Sequence, residues 1–107
     1  MKSLKFKSYL IEQIKNGTKT VTWRLFDDKD LQKNDHFLII NSDTSEDCGE
    51  AIITEAREKK LKDITPEDYA GHEEYRDSEE MLQTYKNYYG DKVNWGTIVK
   101  MVSFKLL

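Results

Sequence analysis

The sequence predicts an α+β domain: a small, partly closed β-barrel with a helix near its N-terminus and a helical insert before its last strand. Three observations carry this. Apolar residues recur at helical spacing near the start and again past the middle. Around them lie short stretches rich in β-branched and aromatic residues, bounded by Gly, Asn and Asp. The chain has 107 residues, enough for one core, and at this size curling the sheet is the economical way to avoid bare edges. Residues 1–107 read as a single domain, without repeat, low-complexity tract or linker.

Phe6, Leu10, Ile11 and Ile14 predict a helix over residues 6–15, with Lys15 in its last turn and Gly17 just past its end. Residues 20–25 read as a strand. A polar turn at Lys33, Asn34 and Asp35 leads into a buried strand over His36–Ile40, and a third strand runs over Glu50–Ala56. In "DITPEDY", Thr65 can cap a short helix, Pro66 suits its first position, and Glu67 and Asp68 favour its positive end. "DSEEMLQTYKNYYG" is a longer helix. Asp77 or Ser78 caps it, Met81, Leu82 and Tyr85 form its apolar stripe, and Gly90 ends it. "GTIVKMVSFKLL" closes the chain as a strand. Val102, Phe104 and Leu106 make one face apolar and Val99 and Met101 the other, as in a strand covered on both sides.

Charge narrows the function classes. Asp and Glu number 20 against 17 Lys and Arg, a net charge of -3. Proteins that grip long duplexes draw their affinity from a net basic face, so an extended DNA duplex is not the expected partner. Most of the acidic residues fall in 43–80, however, while 1–24 is basic. A local basic patch suits a nucleoside or a short single-stranded RNA held in a cleft. No apolar run approaches the ~20 residues that span a bilayer, so no membrane partner is expected. The lone Cys48 admits no internal disulfide and suits a reducing compartment. No basic-then-apolar segment opens the chain, and a cytoplasmic location is the expectation. Cys48 sits among Glu46, Asp47 and Glu50, which disfavour a thiolate nucleophile. His36 and His72 lie far apart beside a single Cys, so neither a metal site nor a cofactor is predicted.

The stretch "NGTKTVTWRL", Asn16 to Leu25, concentrates chemistry. On a regular strand Thr20, Thr22 and Arg24 share one face, and Val21, Trp23 and Leu25 share the other. The polar set then faces either solvent or a cavity. Lys19 has the wrong parity to join Thr22 unless the chain bends after Gly17, which a left-handed glycine permits. Trp23 has core parity. A tyrosine of "YKNYYG" (Tyr85, Tyr88 or Tyr89) or Trp95 is the freer candidate for stacking on a base.

"GTKTVTWR" after a short helix, then "NDHFLI", "GEAIITEA", "LKDITPEDY" and "VKMVSFKLL", resembles the ASCH domain, the activating signal cointegrator homology family, over nearly the whole chain. Asn34 stands where that family often has Gly before the Asp, and Asn tolerates the same left-handed backbone. The resemblance implies a barrel related to the PUA fold, a cleft floored by the G-x-K-T-x-T-x-R motif, and a role in RNA or nucleotide metabolism. One bacterial branch of the family hydrolyses the amide of N4-acetylcytidine with a Lys, a Thr and a Glu. Carried onto this chain by motif position, these are Lys19, Thr22 and, within "GHEEYRD", Glu73, with Glu74 the near alternative. In that reading Thr20, Arg24 and Glu74 contact substrate.

The chemistry is coherent. A Thr hydroxyl attacks an amide only when a neighbour removes its proton. A lysine can do so only as the neutral amine, away from its ordinary pKa of about 10.4. A carboxyl in a dry cleft can stay protonated and donate to the leaving amine. The same motif also floors clefts that only bind, so a non-catalytic module for single-stranded RNA or a modified nucleotide is the alternative.

Overall fold

The computed structural model describes residues 1–107 other than Asp28 and Glu73. In chain order the elements are β1 (Lys2–Phe6), α1 (Ser8–Asn16), β2 (Val21–Leu25), β3 (His36–Asn41), β4 (Asp47–Lys60), α2 (Ser78–Tyr89) and β5 (Ile98–Leu106). Two short 3-10 turns, Leu61–Asp63 and Pro66–Tyr69, precede α2. The strands form one five-stranded sheet in the order β1-β3-β4-β5-β2. β1 runs parallel to β3 and every other pairing is antiparallel. The sheet curls into a half-barrel whose two edge strands, β1 and β2, do not pair with each other. This is the expected α+β architecture, with one strand more than the sequence suggested.

That strand is β1. Phe6 sits four residues before Leu10, so it reads as the first turn of a helix. It belongs instead to an alternating strand in which Leu4 and Phe6 are both buried. Lys7 has extended backbone angles, and α1 begins only at Ser8. β4 is longer than predicted, because its polar end, Arg57 to Lys60, is held by pairing to Met101–Ile98 of β5 rather than by side-chain burial. Asn34 adopts φ +75°, the left-handed conformation expected of the residue that replaces glycine there.

Two apolar clusters lie on opposite faces of the sheet, and β5 feeds both. Val102 and Phe104 join Leu4, Phe6, Phe37, Ile39 and Ile53 under α1, which contributes Ile11 and Ile14. Val99 and Met101 join Trp23, Leu25 and Leu61 under α2, which contributes Met81 and Tyr85. Burial of both faces accounts for the nearly continuous apolar run in this strand. Asp77 caps α2 by accepting from the Glu80 N–H at 2.7 Å.

Asp68 fastens the link between β4 and α2. Its buried carboxylate accepts from Lys59 Nζ at 2.7 Å, Arg57 Nη2 at 2.8 Å and the Thr65 N–H at 2.8 Å. Burial by itself pushes the Asp68 carboxyl up. The bonds from Lys59, the Thr65 N–H and Arg57 outweigh that and hold it well below the usual carboxylate range. A carboxylate depressed in the folded state stabilises the fold fully above the ordinary value of about 3.9, and that contribution is lost as pH falls below it. Asp68→Asn is therefore expected to cost about 2–3 kcal/mol in urea denaturation at pH 7. At pH 3 the gap between variant and parent should narrow by about 1 kcal/mol.

Candidate functional site

Gly17 ends α1 with φ +85°. That left-handed turn lets the Thr18 and Lys19 N–H groups both donate to Gln13 O, at 3.0 and 3.1 Å. The chain doubles back, and Lys19 enters the molecule, 2% exposed. Its Nζ donates to Val21 O at 2.9 Å. The start of β2 is pinned by Gly71, whose carbonyl accepts from the Thr20 and Val21 N–H groups at 2.8 and 3.1 Å. Thr22, one residue on, is 4% exposed.

Lys19, Thr22 and Arg24 line one cavity of about 320 Å³ in the open side of the half-barrel. The size is at the lower end of small-molecule sites. The Arg24 guanidinium crosses the opening. It donates to Lys5 O on β1 at 2.9 Å and lies over the Phe6 ring, 4.9 Å from its centroid. Lys5 and Lys7 add two more cations, and Ser42 a hydroxyl. The opposite wall is aromatic. Tyr85, Tyr88 and Tyr89 come from α2, and His72 and Tyr75 from the loop before it.

His72 is buried and stacks on Trp23 with ring centroids 4.0 Å apart and planes 18° from parallel. Tyr69 packs against the same indole at 5.2 Å. The Trp23 Nε1 is buried without a hydrogen-bond partner among the described residues. Burial pushes the Tyr69 hydroxyl up, reinforced by the charges of Glu74 and Asp68.

The predicted residues separate as follows. Lys19, Thr22 and Arg24 share the cavity. No hydrogen bond joins Lys19 Nζ to Thr22 Oγ1 among the described residues. Thr20 lies outside the cavity lining, because the Gly71 backbone packs against its side chain. Glu74 is exposed and also outside the lining, so neither residue contacts the cavity as the sequence reading expected. Glu73 falls outside the described residues. Of the stacking candidates, the three tyrosines line the cavity and Trp95 does not. His72 and Tyr75 were missed. Their one signal is the Gly71–His72 pair, a glycine with φ +77° that turns the loop back onto β2. Among the described residues, no three His, Cys, Asp or Glu side chains converge as a metal site requires.

Comparison with solved structures fixes the fold. An ASCH domain from Lactobacillus crispatus aligns with TM-score 0.71 and 12% identity over 98% of this chain and 79% of that one. ASCH from Zymomonas mobilis aligns with TM-score 0.69 and 12% identity, over 96% of this chain and 65% of the other.

The chain has an ASCH-like fold.

A protein of the DUF984 family from Enterococcus faecalis shares it, with TM-score 0.76 and 15% identity over 92% of this chain and 70% of that one. No protein-family model matches the sequence, and neither does any curated protein. In this ASCH-like fold the cavity depends on two left-handed glycines, Gly17 turning Lys19 inward and Gly71 bringing His72 onto Trp23. A Cβ on Gly17 meets nothing within 4 Å, whereas one on Gly71 falls 2.0 Å from Thr20 Oγ1. Gly17→Ala should cost about 1 kcal/mol through backbone conformation alone. Gly71→Ala adds the clash and should lower the melting temperature by about 5–10 °C. Thermal melts of the two variants, in which Gly71→Ala shows the larger drop, check this.

Proposed function

We propose that the cavity binds a nucleoside and hydrolyses the N4-acyl amide of cytidine, with Thr22 as nucleophile and Lys19 as base. The observation that carries this reading is the burial of an amine and a hydroxyl in one cavity, Lys19 at 2% and Thr22 at 4% exposed. An amine and a hydroxyl in one cavity are the two groups that a threonine nucleophile and its base require. The site resembles, by motif position, the Lys and Thr of the acetylcytidine-hydrolysing branch of the family.

The steps balance as follows. Lys19, as the free amine, takes the Thr22 hydroxyl proton while Thr22 Oγ1 attacks the acyl carbon. The C–N4 bond breaks, the proton passes to N4, and cytidine leaves. Water then cleaves the acyl-threonine ester, releasing the carboxylic acid and restoring the hydroxyl. In the structure Lys19 Nζ is bonded to Val21 O, so the reaction requires it to turn toward Thr22. Catalytic hydrogen bonds are often long until substrate closes the site. Arg24 already faces the cavity with its guanidinium held by Lys5 O and is placed to receive a carbonyl oxygen or a phosphate.

A second reading has its own support. Lys5, Lys7 and Arg24 ring the cavity beside Tyr88, which is 58% exposed, and cations interleaved with an exposed aromatic suit single-stranded RNA or a modified nucleotide. Incubation with N4-acetylcytidine separates the two. The hydrolase reading expects acetate and cytidine in equal amounts, with turnover falling roughly 10²–10⁴-fold in both Thr22→Ala and Lys19→Ala, each variant being shown folded by its melting transition. Undiminished turnover in either variant overturns the roles assigned. Binding without turnover, weakening as salt rises, overturns the hydrolase and leaves the binding module. No binding of any nucleoside or oligonucleotide overturns both.

A further inference from the structure

The cavity is lined by Thr22, Trp23 and Arg24, three consecutive residues of β2. Neighbouring strand residues point to opposite faces, and here Trp23 joins the cluster under α2. A cavity reached from both faces of a strand must wrap over that strand's edge. β2 is an edge strand, so this is its free backbone edge.

The ladder shows which backbone groups lie there. In an antiparallel pair, alternate residues turn both N–H and C=O toward the partner strand. Thr20 O accepts from the Phe104 N–H at 3.0 Å, so Thr20, Thr22 and Arg24 face β5. Val21, Trp23 and Leu25 face away. Val21 is capped on both groups and Leu25 on its N–H. The Val21 N–H donates to Gly71 O at 3.1 Å and its carbonyl accepts from Lys19 Nζ at 2.9 Å. The Leu25 N–H donates to the Tyr89 hydroxyl at 3.4 Å. Between the caps, the Trp23 N–H and C=O have no hydrogen-bond partner among the described residues. Trp23 is buried, and buried backbone groups are almost always paired.

We infer that the Trp23 N–H and C=O form the recognition edge for the ligand's heterocycle, pairing with an adjacent acceptor and donor on one planar ring. The inference rests on the nucleoside reading above and deepens it. In cytosine the matching groups are N3, which accepts, and N4–H, which donates and survives N4-acylation. Pairing there sets N4 beside the strand that carries Thr22, with the tyrosines of α2 as the flanking wall. The caps also set the size of the ligand. With both groups of Val21 and the N–H of Leu25 taken, too little edge is left for an added peptide strand, which needs a run of free positions.

The test is titration of the ¹⁵N-labelled full chain with cytidine and with 3-deazacytidine, in which a C–H replaces the N3 acceptor. Cytidine is expected to move the Trp23 amide proton downfield and slow its exchange with solvent. The deaza compound should bind about 10-fold more weakly and leave that amide unmoved, because the N–H loses its partner. Shifts at Tyr85 and Tyr88 with an unchanged Trp23 amide overturn the edge pairing and leave nucleoside binding intact. Equal affinity for the two compounds overturns it as well. No shift at any cavity residue with either compound overturns the nucleoside reading and this inference together.

Discussion

The controlling feature of this molecule is a sheet that curls without closing. β1 and β2 stand at the two ends of the five-strand order without pairing, and both faces of the sheet are packed, one under α1 and the other under α2. An open seam leaves two edges whose backbone groups must find partners elsewhere. Side chains supply them. The Arg24 guanidinium reaches across to Lys5 O, Lys19 Nζ takes Val21 O, and the Tyr89 hydroxyl takes the Leu25 N–H. The cavity is the part of the seam these groups leave open. Its chemistry follows from which elements border it: β1 and the residue after it bring Lys5 and Lys7, the turn into β2 brings the amine of Lys19, β2 brings the hydroxyl of Thr22, and α2 brings tyrosines.

This explains how a lysine can be buried at position 19. A buried amine is costly unless it is hydrogen-bonded. Here it serves as an edge cap, which any N–H donor of that reach could do, while its head remains at the cavity. The same holds for Arg24, stacked on Phe6 and tied to β1. Both residues bond backbone carbonyls at the open seam and also line the cavity. Substituting either changes the seam as well as the cavity, which is why melting temperature belongs beside turnover in judging such variants.

Much of this was legible in the sequence, and the rest was hidden for identifiable reasons. β2 and its motif, the apolar stripe and cap of α2, the two-faced β5 and the left-handed Asn34 all depend on local spacing, which a sequence displays. β1 was hidden because Phe6 fits period 2 through Leu4 and helical spacing through Leu10 equally well. Only the parallel pairing with β3 decides between them. The polar half of β4 was hidden because backbone pairing, not burial, holds it. Thr20 has the parity of Thr22 and Arg24, yet the Gly71 carbonyl takes its N–H and the Gly71 backbone covers its side chain. His72 and Tyr75 reach the cavity from a loop some fifty residues beyond β2, and no spacing rule spans such a distance. Parity assigned Trp23 to the core correctly but described its side chain alone. The side chain is in the core, and the backbone of the same residue lies at the site.

That last distinction bears on how specificity arises in so small a domain. Side chains that line a cavity lose rotamer freedom when they grip a ligand. A strand edge loses almost none, because its N–H and C=O are already fixed by the ladder on the other side. Alternation along β2 then divides the labour. Thr22 and Arg24 spend their backbone groups on β5 and present side chains to the cavity. Trp23 spends its side chain on the core, stacked with His72, and presents its backbone. On the proposed function, the reactive hydroxyl and the recognising backbone are held by one continuous ladder, so the distance between them cannot drift independently. Positioning of this kind contributes to catalysis in proportion to its rigidity, and in a half-barrel the ladder beside an open seam can supply it without further elements.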